Sequence, residues 1–353
     1  MKILYFITSL NLGGAEKVTL NLAEKMVEKG HTVKIIYMFG NMQIFSDSEK
    51  IEIISLGLSS HISLIFGLFK LRKLILSFNP DVVHSHMYHA NIYMRIYRLF
   101  FGLKKNINSA HSSIEGSKFG MLLYRYTNFL SNLNTNVSQN ALNIFIEKGA
   151  FDVHKSRVVY NGVDINRFSY NIYNVEKKLN LIAIGRFSPE KDYFNLIDAI
   201  SIVKNESKYN FNLSIVGDGA DFLLIKKYIK KLELECTVHL LGRRDDISDL
   251  LKASGCLILS SKFEGLPTVI MEAMSCGCYV ISTDCGGSAE IMKNDFGTLV
   301  PVSDSFALAK AIIQYLESSN DFLLQSSVNA RKIIIDHFSL DSSVNVWEEI
   351  YKS

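Results

Sequence analysis

Twice along the 353-residue chain, short β-branched apolar runs alternate with longer stretches whose apolar residues recur at helical spacing, and few folds accept that pattern. Residues 2–8, 32–37 and 51–55 read as strands, and 15–29 as a helix with Val18, Leu22 and Met26 on one face. A second helix covers 62–78 and stops at Asn79-Pro80, and strands over 81–84 and 107–110 enclose a third helix. After residue 178 the alternation resumes, with strands over 180–184, 212–216, 237–240 and 256–260 and helices over 193–204 and 221–232. Such alternation predicts parallel sheets with helices on both faces. One core rarely grows past about 250–300 residues. The expected architecture is therefore α/β with two doubly wound, Rossmann-like domains, over 1–165 and 179–336, separated by a polar linker at 166–178. Residues 337–353, with the only Trp (Trp347), read as a terminal helix.

The composition, 48% apolar and 21% charged, is that of a globular protein rather than a disordered one. A net charge of +3 excludes a polybasic nucleic-acid binder. The charge is uneven, however. Residues 1–170 hold 19 bases and 11 acids, a balance of +8, and the remainder holds 19 and 24, a balance of −5. The basic half is expected to meet something anionic. Cys236, Cys256, Cys276, Cys278 and Cys285 have neither disulfide nor zinc spacing and read as small buried hydrophobes in a reducing cytosol. The apolar N-terminus lacks a small-x-small cleavage site and reads as a buried strand. The longest apolar helix, 62–78, is interrupted by Lys70, Arg72 and Lys73, so no transmembrane span is expected. These features point to a cytoplasmic protein.

Ligands in open α/β sheets bind outside the carboxyl ends of the strands, and the unusual residues of this chain concentrate there. After the first strand comes Gly13-Gly14-Ala15-Glu16, where backbone amides and a helix N-terminus favour an anion. Neither this loop nor Gly217-Asp218-Gly219, whose third glycine position holds Phe222, is a dinucleotide fingerprint. The turn after strand 180–184 carries Gly185, Arg186 and Lys191, two cations suited to a diphosphate: a planar fork and a point charge. The strongest local signal follows strand 256–260. Glu264, Gly265, Leu266, Pro267 and Thr268 lead into a helix that carries Glu272 in its second turn, with Pro267 placed in the first turn. Amides of that turn can hold phosphate oxygens while the two carboxylates accept from hydroxyls, which fits a sugar nucleotide. His84, His86, His89 and His111 cluster after first-half strands. His84-x-His86 lacks a third metal ligand, and His111 is placed as a polar group facing the ligand or as a satisfied structural histidine.

Taken in order, these stretches resemble glycosyltransferase family 4, over essentially the whole chain. The resemblance rests on Gly13-Gly14-Ala15-Glu16, Asp81-Val82-Val83-His84-Ser85-His86, Ser109-Ala110-His111-Ser112, and Asn161-Gly162-Val163-Asp164 with Phe168. It continues with Gly185-Arg186-Phe187 and Glu190-Lys191, the E-x7-E element from Glu264 to Glu272, and Asp284-Cys285-Gly286-Gly287 with Glu290. It implies the GT-B fold, two facing Rossmann-like domains with an interdomain cleft, and a C-terminal helix crossing back to the first domain. It further implies retaining, metal-independent transfer of a hexose from a nucleotide-diphosphate sugar, with UDP expected and no cofactor required. Arg186 and Lys191 would hold the diphosphate, Glu264 the sugar hydroxyls and Glu272 the ribose. His111 would lie near the reacting sugar, and Gly242 and Arg243 near the base. One departure is Asp192, where many relatives carry Gly or another small residue.

The acceptor side is read from residues 61–105, which carry Lys70, Arg72, Lys73, Arg95, Arg98, Lys104 and Lys105 against one acid, Asp81. Interleaved with Phe66, Phe69, Phe100 and Phe101, they suit an anionic membrane surface, and a lipid-linked saccharide acceptor in surface polysaccharide synthesis is expected. Two ordinary amphipathic helices would show the same composition. The competing functions are a nucleotide-sugar epimerase of the same architecture and a catalytically silent sugar-nucleotide-binding module.

Overall fold

The computed structural model describes residues 1–11, 13–113, 115–172, 175–292 and 296–353. They form two compact units, one of Met1–Gly162 with Leu340–Ser353 and one of Val163–Ser339. The first unit is built on β1 (Lys2–Ile7), β2 (Thr32–Tyr37), β3 (Glu52–Ser55), β4 (Val82–His86), β5 (Asn106–Ala110), β6 (Leu133–Asn136) and β7 (Ser156–Val158). These pair in parallel in the order β3-β2-β1-β4-β5-β6-β7. The second unit contains β8 (Asn180–Ile184), β9 (Asn212–Val216), β10 (Val238–Gly242), β11 (Cys256–Leu259), β12 (Tyr279–Thr283) and β13 (Gly297–Val300). Its order is β10-β9-β8-β11-β12-β13, again parallel. Both sheets are doubly wound, as the alternation requires. In each, the strand order reverses beside the first strand, at β1/β4 and at β8/β11.

The apolar run of β1 has a direct packing reason. Its Ile3, Tyr5 and Ile7 join one buried cluster and its Leu4 and Phe6 another, because helices cover both faces of a parallel sheet. The first cluster includes Val344, Trp347, Ile350 and Tyr351 of the terminal helix Leu340–Lys352. That helix is further tied to this unit by Lys29 to Glu348 (2.9 Å) and by Lys105 Nζ to the Ile350 carbonyl (2.5 Å).

Several expectations need correction. Residues 166–178 are part of the second unit. Phe168 is buried, its carbonyl accepts from Ser275 Oγ (2.6 Å) and Arg331 Nη1 (2.9 Å), and Lys177 Nζ donates to the Ile172 carbonyl (3.1 Å). The Phe168 carbonyl and the Lys177 ammonium thus make internal hydrogen bonds, while Asn166, Arg167, Asn171 and Glu176 are exposed; residues 173 and 174 of this stretch lie outside the described residues. The terminal helix begins at Leu340, because residues up to His337 belong to the preceding helix Asn320–His337. Cys236 is exposed, in the turn before β10, whereas the other four cysteines are buried. Strand β4 starts at Val82 and runs through His86; Asp81 stands before it and accepts from the Lys2 backbone amide (2.8 Å). Strands β6, β7, β12 and β13 have no counterpart in the sequence reading.

The basic segment 61–105 is not one continuous cationic face. Arg95 is wholly buried in the helix Tyr88–Phe101. Its Nε donates to Asn108 (2.7 Å), Nη2 to Asn134 (2.5 Å), and Nη1 to the Tyr124 carbonyl (2.9 Å) and Thr127 (3.1 Å). The guanidinium also lies over the Tyr124 ring, 5.0 Å from its centroid. Burial pushes its pKa down to about 10, so it stays charged at neutral pH. Lys70, Arg98 and Lys105 donate to backbone carbonyls. The Asn-rich strands β5 and β6 thus supply neutral acceptors for a buried cation, which explains polar side chains in the middle of a core. Arg95→Ala removes the donor and strands those acceptors. It is expected to lower the stability of the first unit by about 3 kcal/mol or more, at about 1–3 kcal/mol for each stranded acceptor, read by urea denaturation; a loss under about 1 kcal/mol would contradict this role.

Candidate active site

In the second unit the switch point brings together the loops after β8 and β11. Gly185 directly follows β8, succeeded by the exposed Arg186 and by a 3-10 turn at Pro189–Lys191. The loop is clasped from the β11 side: Ser260 Oγ donates to the Lys191 carbonyl (2.8 Å) and the Lys262 amide to the Glu190 carbonyl (2.8 Å). Tyr193 closes it from within, its hydroxyl donating to the Gly185 carbonyl (3.1 Å). Lys191 Nζ therefore lies 2.5 Å from Glu264 Oε1, and Ser261 Oγ donates to the same oxygen at 2.7 Å. Both side chains are about four-fifths shielded from solvent, which strengthens the pair beyond a surface ion pair.

Gly265, Leu266 and Pro267 are buried beneath this pair and lead into the helix Thr268–Cys276. Pro267 stands at its N-cap, one position before the first turn in which the sequence reading placed it, and the helix starts at Thr268. The amides of that first turn, of which Ile270 donates to the Pro267 carbonyl (3.1 Å), and the helix dipole create positive potential. Glu272, half-buried in the second turn, is carried by the same helix. Gly242 and the exposed Arg243 stand at the carboxyl end of β10, two strands from β8 along the same sheet edge.

Two glycines outside the expected set hold these loops together. A Cβ on Gly217 would lie 1.9 Å from the Gly185 carbonyl oxygen, and one on Gly286 would lie 1.8 Å from that of Glu264. The β9 loop thus presses on the β8 loop, with the Phe187 amide donating to the Asp218 carbonyl (2.9 Å). Likewise the β12 loop presses on Glu264. Gly217-Asp218-Gly219, which fails as a dinucleotide fingerprint, is explained by this packing.

Asp192 takes the left-handed conformation (φ 50°), which glycine adopts without strain and Asp tolerates better than most residues. Its carboxylate accepts from Ser303 Oγ (3.0 Å) and Lys262 Nζ (3.1 Å). The turn is kept, and these contacts fasten it to the loops after β11 and β13. Nothing in the sequence announces those partners.

In the first unit Gly13 caps the helix Gly14–Glu28, and the buried Glu16 accepts from Ser9 Oγ (3.2 Å). His86 ends β4 and His111 follows β5 on the neighbouring strand. His86 Nδ1 and His111 Nε2 lie 3.0 Å apart. His84 is spoken for: Nδ1 pairs with the Tyr351 hydroxyl and Nε2 with Ser109 Oγ, both at 2.6 Å. His84-x-His86 is therefore not a metal-ligand pair, and the described residues contain no group of three His, Cys, Asp or Glu side chains able to hold a metal ion. Burial pushes His84 and His86 well below the ordinary histidine range and His111 down to about 4. Unforeseen from the sequence is Glu115, whose carboxylate accepts from the His111 amide (2.7 Å) and the Tyr124 hydroxyl (2.9 Å). Burial pushes its pKa up to about 7, against the lowering effect of those two hydrogen bonds.

Known proteins can now be set beside this geometry. The family Glycosyltransferase Family 4 matches residues 12–167, and Glycosyl transferases group 1 matches residues 164–333. The UDP-Gal:alpha-D-GlcNAc-diphosphoundecaprenol alpha-1,3-galactosyltransferase of Escherichia coli is 26% identical, covering 96% of this chain and 94% of that protein. The GalNAc-alpha-(1->4)-GalNAc-alpha-(1->3)-diNAcBac-PP-undecaprenol alpha-1,4-N-acetyl-D-galactosaminyltransferase of Campylobacter jejuni is 26% identical, covering 91% and 90%. Among solved structures, HepE of Anabaena in complex with UDP superposes with a TM-score of 0.83 at 22% identity, covering 100% of both chains. That likeness establishes the GT-B fold.

The half-buried Glu115 makes stability depend on pH with a definite sign. Its folded pKa is raised, so the folded state binds the extra proton between about pH 4.5 and 7, and the cost of ionising it in place is fully present above pH 7. Glu115→Gln removes that cost. The variant is expected to gain much more stability over the parent at pH 8 than at pH 5, by at most about 3.4 kcal/mol at 1.36 kcal/mol per pKa unit. Paired thermal melts at the two pH values check this, and an equal effect at both would refute it.

Proposed function

The chain belongs to glycosyltransferase family 4, and on that premise we propose that it moves a hexose from a UDP-sugar to a lipid-linked saccharide in polysaccharide synthesis. The observation that carries the donor reading is the Lys191–Glu264 pair at the β8/β11 switch point, beside the N-terminus of Thr268–Cys276. A cation and a carboxylate side by side fit a ligand that joins a diphosphate to sugar hydroxyls. Lys191 Nζ turns to the diphosphate and Glu264 accepts from the sugar. Each group exchanges its partner for part of the donor, so neither is left buried and unpaired.

Arg186 grips the second phosphate as a fork, and the amides of Gly265, Leu266 and Thr268 complete the cradle, with Gly185 leaving room for the close approach. Glu272 accepts from the ribose, and Gly242 and Arg243 flank the base. In the first unit Gly13 leaves room for the donor, Gly14 approaches it through its backbone amide, and His111 contacts the reacting sugar. The bond from the anomeric carbon to the diphosphate oxygen breaks, and the acceptor oxygen takes its place with retention of configuration. Arg186, Lys191 and the helix N-terminus meet the charge left on the departing UDP without a bound metal; preorganised charge of this kind is usually the largest catalytic term. UDP is supported by the name of the Escherichia coli relative, and an undecaprenol-linked acceptor by that name and by the Campylobacter jejuni one.

The acceptor side also bears on location. No helix among the described residues is long and apolar enough to cross a membrane. The helix His61–Phe78 instead exposes Ile62, Ile65, Phe66, Phe69 and Leu76 at helical spacing, with Arg72 and Lys73 between them, and Leu99 and Phe100 are exposed on the next helix. An apolar face with cations interspersed suits peripheral attachment to an anionic leaflet at the cytoplasmic side. This narrows the 61–105 segment to that face and to Arg72, Lys73 and Lys104. At about 1 kcal/mol per cation they supplement, rather than replace, the apolar contact.

Three experiments test these readings. Arg186→Ala and Glu264→Ala are each expected to cut transfer from a UDP-hexose at least about a hundredfold, near the loss for an oxyanion-hole donor. UDP, rather than GDP, ADP or CMP, is expected to raise the melting temperature of the parent by mass action. Parental activity in either variant overturns the site, and donor conversion without any acceptor indicates an epimerase. Sedimentation with anionic vesicles at low salt checks the membrane reading: the parent is expected to bind and Phe66→Glu/Phe69→Glu not to, while an unbound parent removes it.

A further inference from the structure

We propose that Asp192 and Lys262 are positioning residues: their ion pair keeps the loops after β8 and β11 in one alignment while Lys191 and Glu264 part to take the donor. The inference rests on the reading of Lys191 and Glu264 as donor-binding groups.

The same two loops carry two ion pairs of opposite polarity. Lys191 Nζ meets Glu264 Oε1, and the carboxylate of the next residue, Asp192, meets Lys262 Nζ at 3.1 Å. Exchanging the partners would set Lys191 against Lys262 and Asp192 against Glu264. Like charges would then meet in both places, so the two pairs together admit one alignment of the loops. The backbones are joined in that alignment as well, by the Lys262 amide on the Glu190 carbonyl and by Ser260 Oγ on the Lys191 carbonyl.

The second pair is built to stay closed. The Asp192 carboxylate is 8% exposed, with Oδ1 on Lys262 and Oδ2 accepting from Ser303 Oγ (3.0 Å). Both oxygens are engaged by the protein itself, and Ser303 anchors the pair to a third loop, the one after β13. Asp192 and Ser303 are moreover both left-handed without being glycine, at φ 50° and φ 55°. Such backbone persists where the surroundings over-determine it, and the hydrogen bond between these two side chains is part of that hold.

A donor that draws Lys191 to its diphosphate and Glu264 to its sugar opens the contact between them. The neighbouring pair then keeps the two groups facing one ligand. Asp192 and Lys262 thereby preorganise the charges for the transition state rather than add to ground-state binding.

Steady-state kinetics of four variants test this. Asp192→Gly is the sharpest probe, because glycine adopts the same left-handed turn without strain and only the side chain is lost. Asp192→Gly and Lys262→Met are each expected to lower kcat at least about fivefold with donor KM within about twofold, the pattern of an interaction felt in the transition state. Lys262→Arg keeps a cation within reach and is expected to retain at least about half of kcat. The double variant Asp192→Gly/Lys262→Met is expected to match the single variants within about twofold, since either change already breaks the pair. Parental kcat in Asp192→Gly, a raised donor KM with kcat unchanged, losses that multiply in the double variant, or a Lys262→Arg protein as slow as Lys262→Met each overturns the inference. Parental transfer by Lys191→Ala and Glu264→Ala refutes instead the reading of those two groups, a separate outcome.

Discussion

Parallel pairing is the constraint on which the rest depends. Because the strands of each sheet run the same way, all their carboxyl ends emerge at one edge, and the loops that follow crowd together there. Strand β8 is paired on both sides, by β9 and β11. Its loop is consequently gripped from both sides: by Gly217 and Asp218 after β9, and by Ser260 and Lys262 after β11. Lys191 and Glu264, 73 residues apart, meet only because of that adjacency.

The same edge of the first unit shows a different use of burial. A cation, Arg95, and three histidines occupy the interior around β4 and β5, and none of their side chains finds a carboxylate partner in the contacts described. Neutral amides and hydroxyls from Asn108, Asn134, Ser109 and Tyr351 satisfy Arg95 and His84 instead, and His86 and His111 pair with each other. Unpaired, each buried polar group would cost the full desolvation penalty, so the network holds β4, β5, β6 and the neighbouring helices in one register. It also ties the terminal helix to the sheet, since Tyr351 reaches His84 from the end of the chain.

Legibility differed by kind of signal. The apolar runs of β1, β2, β8 and β9 are readable because a strand buried on both faces must be apolar throughout. β6, Leu-Asn-Thr-Asn, is unreadable for the opposite reason: its polar residues are buried against partners that no local pattern reveals. Arg95 counted as one of several surface cations for the same reason. Asp192 stood out as an unusual residue in a turn, yet its ties to Ser303 and Lys262 come from loops far along the chain.

By itself, the sequence determined the α/β class, the two doubly wound halves, and the strand-end positions of Gly13, His111, Arg186, Lys191, Gly242 and Glu264. Those follow from local periodicity and from residue types that are conspicuous at the end of an apolar run. Only the tertiary structure decided which of them touch. It set Lys191 against Glu264, His86 against His111 and Glu115 against the His111 amide, and it removed Arg95 from the surface. Strand order and side-chain burial are long-range properties, fixed by packing between segments whose separation in the chain carries no record of it.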